Sequence, residues 1–147
     1  MQRLILRVCA LLLGTGLVVA GALPADAQAV LRGNWVATKA ETNGALSPGV
    51  VGHRLSLSGD RFEIRSKDGK ALYAGTVRTN PEATPATIDF LHAQGMLRGK
   101  VWKGIYALNG DMLTVCDNAA DMGKGRPAAF ESKSGSGYVL VTFVRAK

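Results

Sequence analysis

The run from Lys103 to Cys116 limits the folds open to this chain more than any other stretch. Large apolar residues in it alternate with small or polar ones at a period of two, the period of a pleated strand. Asn109-Gly110 interrupts the alternation. That dipeptide is a strong hairpin signal, because a type I′ turn needs positive φ at both central residues. The run therefore reads as two antiparallel strands joined by a tight turn, and the class as all-β.

The same punctuation recurs along the chain. Further strands are expected at Leu31–Ala40, Arg54–Ser58, Arg61–Arg65, Ala71–Arg78, Ala86–His92 and Tyr138–Arg145. In Ala86–His92 the alternation sets Ile88, Phe90 and His92 on one face, with Asp89 and Leu91 on the other. Turns are expected at Ser58-Gly59-Asp60 and Lys67-Asp68-Gly69-Lys70, and a flexible tip at Ser134-Gly135-Ser136-Gly137. Glu41–Gly52, Asn80–Pro85, Gln94–Lys100 and Asp117–Ala128 read as connections, rich in glycine, proline or polar residues. About eight short strands at regular spacing predict a single antiparallel up-and-down β-barrel, which leaves no sheet edge exposed.

Residues 1–27 read as a signal peptide. Arg3 and Arg7 form a basic start, Val8–Leu23 an apolar stretch, and Ala25-Asp26-Ala27 a small-residue cleavage pattern. The apolar stretch is short for a bilayer span and ends at Pro24, so a leader is preferred to an anchor. Cys9 lies too early in that stretch to be a lipidation site. The expected product is one domain, 28–147, secreted or periplasmic, with no stable membrane insertion once the leader is removed. Cys116 would then be its single cysteine, with no partner for a disulfide.

The chain is basic, with a formal net charge of +7. Its cations are scattered over expected strand faces, which predicts a solvated surface. No recognition helix or stacking platform is visible, so nucleic acid is not an expected partner. The protein partner is left open.

Gly33-Asn34-Trp35 at the start of the first expected strand, with Arg145 at the end of the last, resembles the Gly-x-Trp signature of lipocalin and calycin barrels and its late arginine. The resemblance implies that Trp35 plugs the closed end of the barrel and that the Arg145 guanidinium stacks on its face. Leu31–Trp35, Pro85–Asp89, Gly104–Asp111, Leu113–Cys116, Arg126–Phe130 and the closing strand are together similar to an exported, lipocalin-like family of small bacterial domains. That family is expanded in planctomycetes and its function is uncharacterised. It implies fold and export, not a reaction.

No catalytic motif stands out, and a non-enzymatic role without a cofactor is expected. His53 and His92, the two histidines, sit in no metal-binding or protease context. A zinc site from His92, Cys116 and an aspartate would need three ligands to converge, and no metal is expected. Gly123-Lys124-Gly125-Arg126 lacks the spacing of a phosphate loop, and Gly135-Ser136-Gly137 lacks that of a nucleophile elbow. Asp111 is expected to tidy the hairpin turn. Asp89 either faces solvent or points inward to pair with an arginine such as Arg126.

Small barrels are either filled by their own side chains or enclose one small ligand. The first alternative makes the protein an interaction module for a protein or the envelope. The second, taken as the leading expectation, makes it a binder of a small hydrophobic or amphipathic molecule. The residues expected at that ligand are Tyr73, Phe90, His92, Trp102, Tyr106 and Arg126, with His92, Arg126 and Lys103 at the rim.

Overall fold

The computed structural model describes residues 27–147, so the expected leader lies, but for Ala27, outside the described residues. The described chain forms one α-helical turn, α1 (Ala27–Leu31), a 3-10 turn at Gly95–Leu97, and nine strands. These are β1 (Gly33–Thr42), β2 (Ala45–Leu46), β3 (Arg54–Ser58), β4 (Arg61–Arg65), β5 (Ala71–Asn80), β6 (Thr87–His92), β7 (Val101–Asn109), β8 (Met112–Asp117) and β9 (Val139–Arg145). From β3 to β9 each strand pairs antiparallel with the next, and β1 pairs with both β3 and β9. The result is a closed eight-stranded, up-and-down barrel, consistent with a calycin-like fold. β2 is a short arm folded back on the same edge of β1 that pairs with β3.

Two expectations about local structure are corrected. Leu31 belongs to α1 rather than to the first strand, which starts at Gly33. Gly33 separates them because its φ of 122° lies where L side chains are strained. The Asn109-Gly110 turn is also not of type I′. β7 and β8 pair Asn109 with Met112, so Gly110 and Asp111 are the central residues, and of these only Gly110 has positive φ. Glycine first with a following residue at negative φ is type II′. This register sets Leu108 opposite Leu113 and leaves the Asp111 side chain 83% exposed. A type I′ turn would have set Asp111 against Leu108 on the inner face, at the cost of desolvating a carboxylate. The type I′ geometry occurs instead at Asn43-Gly44, with φ of 50° and 82°, where it joins β1 to β2.

Inner-face positions form one core. Trp35, Leu55, Leu57, Phe62, Val77, Ile88, Phe90, Leu113, Val115 and Phe143 are all buried in it. β1 carries a bulge at Thr38, whose hydroxyl donates to the Thr142 carbonyl. Such bulges increase local twist, which helps this long strand bridge two neighbours. At Gly75 the β5 backbone comes so close to β6 that an added Cβ would lie 1.9 Å from the Leu91 carbonyl oxygen.

The two ends of the barrel differ. Trp35 pairs with Arg145 and Gly33 with Leu57, so both ends of the described residues lie at one end of the barrel with the β3–β4, β5–β6 and β7–β8 turns. This end is shut. Trp35 is fully buried, its indole N–H donates to the Leu31 carbonyl at 2.9 Å, and α1 is tied to β5 by Gln28 Nε2 donating to Val77 O. The Arg145 Cζ lies 4.2 Å from the Trp35 ring centroid. Its nitrogens donate to the carbonyls of Arg32 and Val30 and to Asp111 Oδ1. A Cβ on Gly33 would lie 3.3 Å from Arg145 Nη1, so the glycine leaves room for the guanidinium.

Arg145 thus combines a cation–π contact with carbonyls left over at the end of α1. Replacing it by alanine should cost about 2 kcal/mol of stability, read as a lower denaturant midpoint. Arg145→Lys should recover less than half of that, because an ammonium cannot stack and fork at once. Full recovery by lysine would reduce the contact to simple charge.

Candidate functional site

Above the floor the inner face is not filled. A cavity of ≈ 240 Å³ occupies the other half of the barrel. Its walls are apolar residues from most of the strands, among them Leu55, Ile64, Val115, Val141 and Phe143. Val50, His53, Ala119 and Ala120 border it from the connections at the end away from Trp35. The core residues nearer the floor, Ile88 and Leu113, do not reach it.

Of the residues expected at a ligand, the structure brings Tyr73, Phe90 and Trp102 together on one wall. Tyr73 and Trp102 pack edge to face with centroids 4.8 Å apart, and Phe90 and Trp102 at 6.4 Å. His92 points inward but stands behind this wall rather than at a rim. Its ring packs edge-on against Phe62 (5.4 Å), Tyr73 (5.5 Å) and Trp102 (4.2 Å). Neither His92 ring nitrogen has a hydrogen-bond partner, and burial pushes its pKa down, so it sits in the cluster as a neutral aromatic ring. The Trp102 indole N–H is likewise buried without an acceptor.

Tyr106 is buried in the core off the cavity, and burial pushes its phenol up. Arg126 lies outside the barrel. Asp89 alternates with the buried Ile88 and Phe90 and so faces outward. Arg126 clamps it with Nη1 on Oδ1 at 2.5 Å and Nη2 on Oδ2 at 3.1 Å, and gives a further bond to the Gly104 carbonyl at 2.7 Å. The pairing of Asp89 with Arg126 is thus real, but it fastens the 118–138 connection to the outer face of the sheet. Asn118 secures the same connection, accepting from the Lys103 amide and donating to the Lys124 carbonyl. Lys103 itself is exposed and its side chain is not on the cavity.

Cys116 is covered from outside by this connection, and its thiol meets the Glu131 carbonyl at 3.5 Å. It and His92 therefore face opposite sides of the sheet and cannot share a metal. Among the described residues no group of three ligating side chains converges. Burial pushes the Cys116 thiol up to about 11, from an ordinary value of 9.0. Thiolate is the reactive form, so alkylation of the folded protein near neutral pH should run about a hundredfold slower than in the denatured chain. Equal rates in the two states would show that the covering connection opens freely.

One residue of the site was missed in the sequence. Asp117 reads there as the start of a loop, but it is the last residue of β8, only 8% exposed, and its side chain is on the cavity wall. Parity with Leu113 and Val115 was the available signal. Its Oδ1 accepts from the Ala119 amide at 3.0 Å, and among the described residues no lysine or arginine lines the cavity beside it. Desolvation pushes its carboxyl up to about 7. Its strand partner is Gly104, where a Cβ would come within 2.9 Å of the Asp117 Cβ, so the glycine makes space for the acid.

The site is thus an apolar chamber with an aromatic wall and one buried carboxyl, set above a sealed floor. Compared with protein-family models, with curated proteins and with solved structures, the chain matches none.

Proposed function

We propose that this chain is an exported, lipocalin-like, non-enzymatic domain that binds a small hydrophobic or amphipathic molecule in the upper half of its barrel. The observation that carries this reading is the apolar cavity of ≈ 240 Å³ above the Trp35–Arg145 floor. Ligand sites are typically concave and apolar with a few placed polar groups. The volume lies below the usual range of about 300–1,000 Å³, which favours a ligand smaller than a drug-sized molecule. Export to the periplasm or the medium rests on the leader pattern of residues 1–27. Kinship with the planctomycete-expanded exported family rests on the motifs Leu31–Trp35, Pro85–Asp89, Gly104–Asp111, Leu113–Cys116, Arg126–Phe130 and the closing strand through Arg145, and the wider lipocalin-like kinship on the Gly33, Trp35 and Arg145 arrangement.

The rival reading, an interaction module, draws on exposed Leu46 of β2 and on Val51, Met96 and Met122 in the connections at the cavity end. A filled interior would have favoured it, and the open chamber favours the carrier. Native mass spectrometry of protein purified from its own source should detect a bound small molecule. Adding back the extracted molecule should raise the melting temperature. Reproducible absence of both bound mass and stabilisation would overturn the carrier reading.

A further inference from the structure

We propose that the cavity selects an organic cation, a protonated amine on a compact apolar body, and that Asp117 is the group that holds its charge. This inference rests on the carrier reading above and names the ligand class.

A buried carboxylate normally has a cationic partner or several donors. Asp117 has one backbone donor, the Ala119 amide, and faces space. The titratable groups sharing that space are His53, from the β2–β3 connection, and Tyr73 of β5. On the outer side of the sheet the Cys116 thiol and Glu131 are near it, and neither supplies positive charge. Among the described residues no lysine or arginine stands in that space to supply a positive counterpart.

The surroundings suit such a counterpart. Trp102 is the next inward residue on β7 from Gly104, so it is the diagonal neighbour of Asp117 across the β7–β8 pair. Tyr73 and Phe90 complete the wall around Trp102. Aromatic faces beside a carboxylate are the usual chemistry for holding ammonium groups, through ring quadrupole and charge together. The buried Trp102 N–H, without an acceptor in the protein, offers a further polar contact to an amphipathic guest. The room left by Gly104 lets the carboxyl reach the chamber instead of the strand backbone.

Titration calorimetry with 2-phenylethylamine and its neutral analogue 2-phenylethanol tests this on the purified protein. At about pH 8, where Asp117 is mostly ionised, the amine should bind at least roughly tenfold tighter than the alcohol. Below pH 7 amine binding must displace a proton from Asp117, so its affinity should fall by up to about tenfold per pH unit while that of the alcohol stays level. In Asp117→Asn the amine preference should vanish and the alcohol should still bind. If alcohol and amine bind alike at pH 8, or the preference survives Asp117→Asn, the amine inference is overturned and the carrier reading stands. If neither probe binds at any pH, both are overturned.

Discussion

Gly75→Ala should be the most damaging single-methyl change in the barrel, lowering stability by more than about 3 kcal/mol. The added Cβ would lie 1.9 Å from the Leu91 carbonyl oxygen and 3.0 Å from the Ala93 nitrogen. Both are backbone atoms of the neighbouring strand end, so no side chain can swing aside. Relief requires β5 and β6 to separate where Gly75 pairs with His92 and where the Ala93 amide reaches the Ala74 carbonyl. The aromatic cluster of Phe62, Tyr73, His92 and Trp102 is assembled over that spot and should loosen with it. Thermal unfolding should report a melting temperature lower by more than about 10 °C. Gly49→Ala is the matched control, since nothing lies within 4 Å of its added Cβ and its φ is not positive. It should stay within about 0.5 kcal/mol of the parent. Equal behaviour of the two variants would mean that the close β5–β6 approach is not a feature of the folded protein.

Asp117→Asn should do the opposite, with a gain that grows as the pH rises from about 4 to 7 and then levels off. In the folded barrel desolvation raises the carboxyl from 3.8 to about 7. Between those values the folded state holds a proton that the unfolded chain has released. Stability from this group is therefore fully present below about pH 4, declines as pH rises towards 7, and is flat above. The ionised acid costs on the order of a few kcal/mol there, less whatever solvation water in the cavity restores. Asparagine keeps an oxygen for the Ala119 amide and removes the titration. Denaturant unfolding should show the variant near parity with the parent around pH 4 and more stable by a few kcal/mol around pH 8. A variant less stable than the parent at pH 8 would show that the carboxylate is paired and structural. A residue that weakens the resting fold is characteristic of a functional position.

These two residues also mark where the sequence could and could not be read. β3 and β4 were legible to the residue, because Leu55, Leu57, Phe62 and Ile64 alternate with polar neighbours across Gly59-Asp60. The floor was legible in Gly33, Trp35 and Arg145, whose roles are determined by ring, charge and the space between them. Asn109-Gly110 marked the hairpin correctly but not its turn type, since inner-face packing of Leu108 on Leu113 selects the register. Asn43-Gly44, the same dipeptide, takes the type I′ geometry because Thr42 and Ala45 pair directly around it.

The site was harder. Tyr73, Phe90 and Trp102 come together because three adjacent strands present them inward, which alternation alone could indicate. The pairing of Arg126 with Asp89 was legible as a possibility, but its position on the outer face rather than at the rim was not, because that depends on the path of a connection whose partner residue lies 37 positions away. Asp117 was hidden because Asn118 follows it and the chain then leads into a glycine-bearing loop. Only the strand's two-residue period, carried one step further, turns it inward.

The central claim is a hollow chamber above a sealed floor, and the two tryptophans allow it to be tested in one spectrum. Trp35 donates its indole N–H to Leu31 inside the floor, whereas that of Trp102 has no acceptor and its ring lines the chamber. A proton–nitrogen correlation spectrum recorded during titration with 2-phenylethanol should show the Trp102 indole peak moving to saturation and the Trp35 peak holding still. A Trp102 peak that stays fixed at saturating probe, or a Trp35 peak that moves alongside it, would contradict the account.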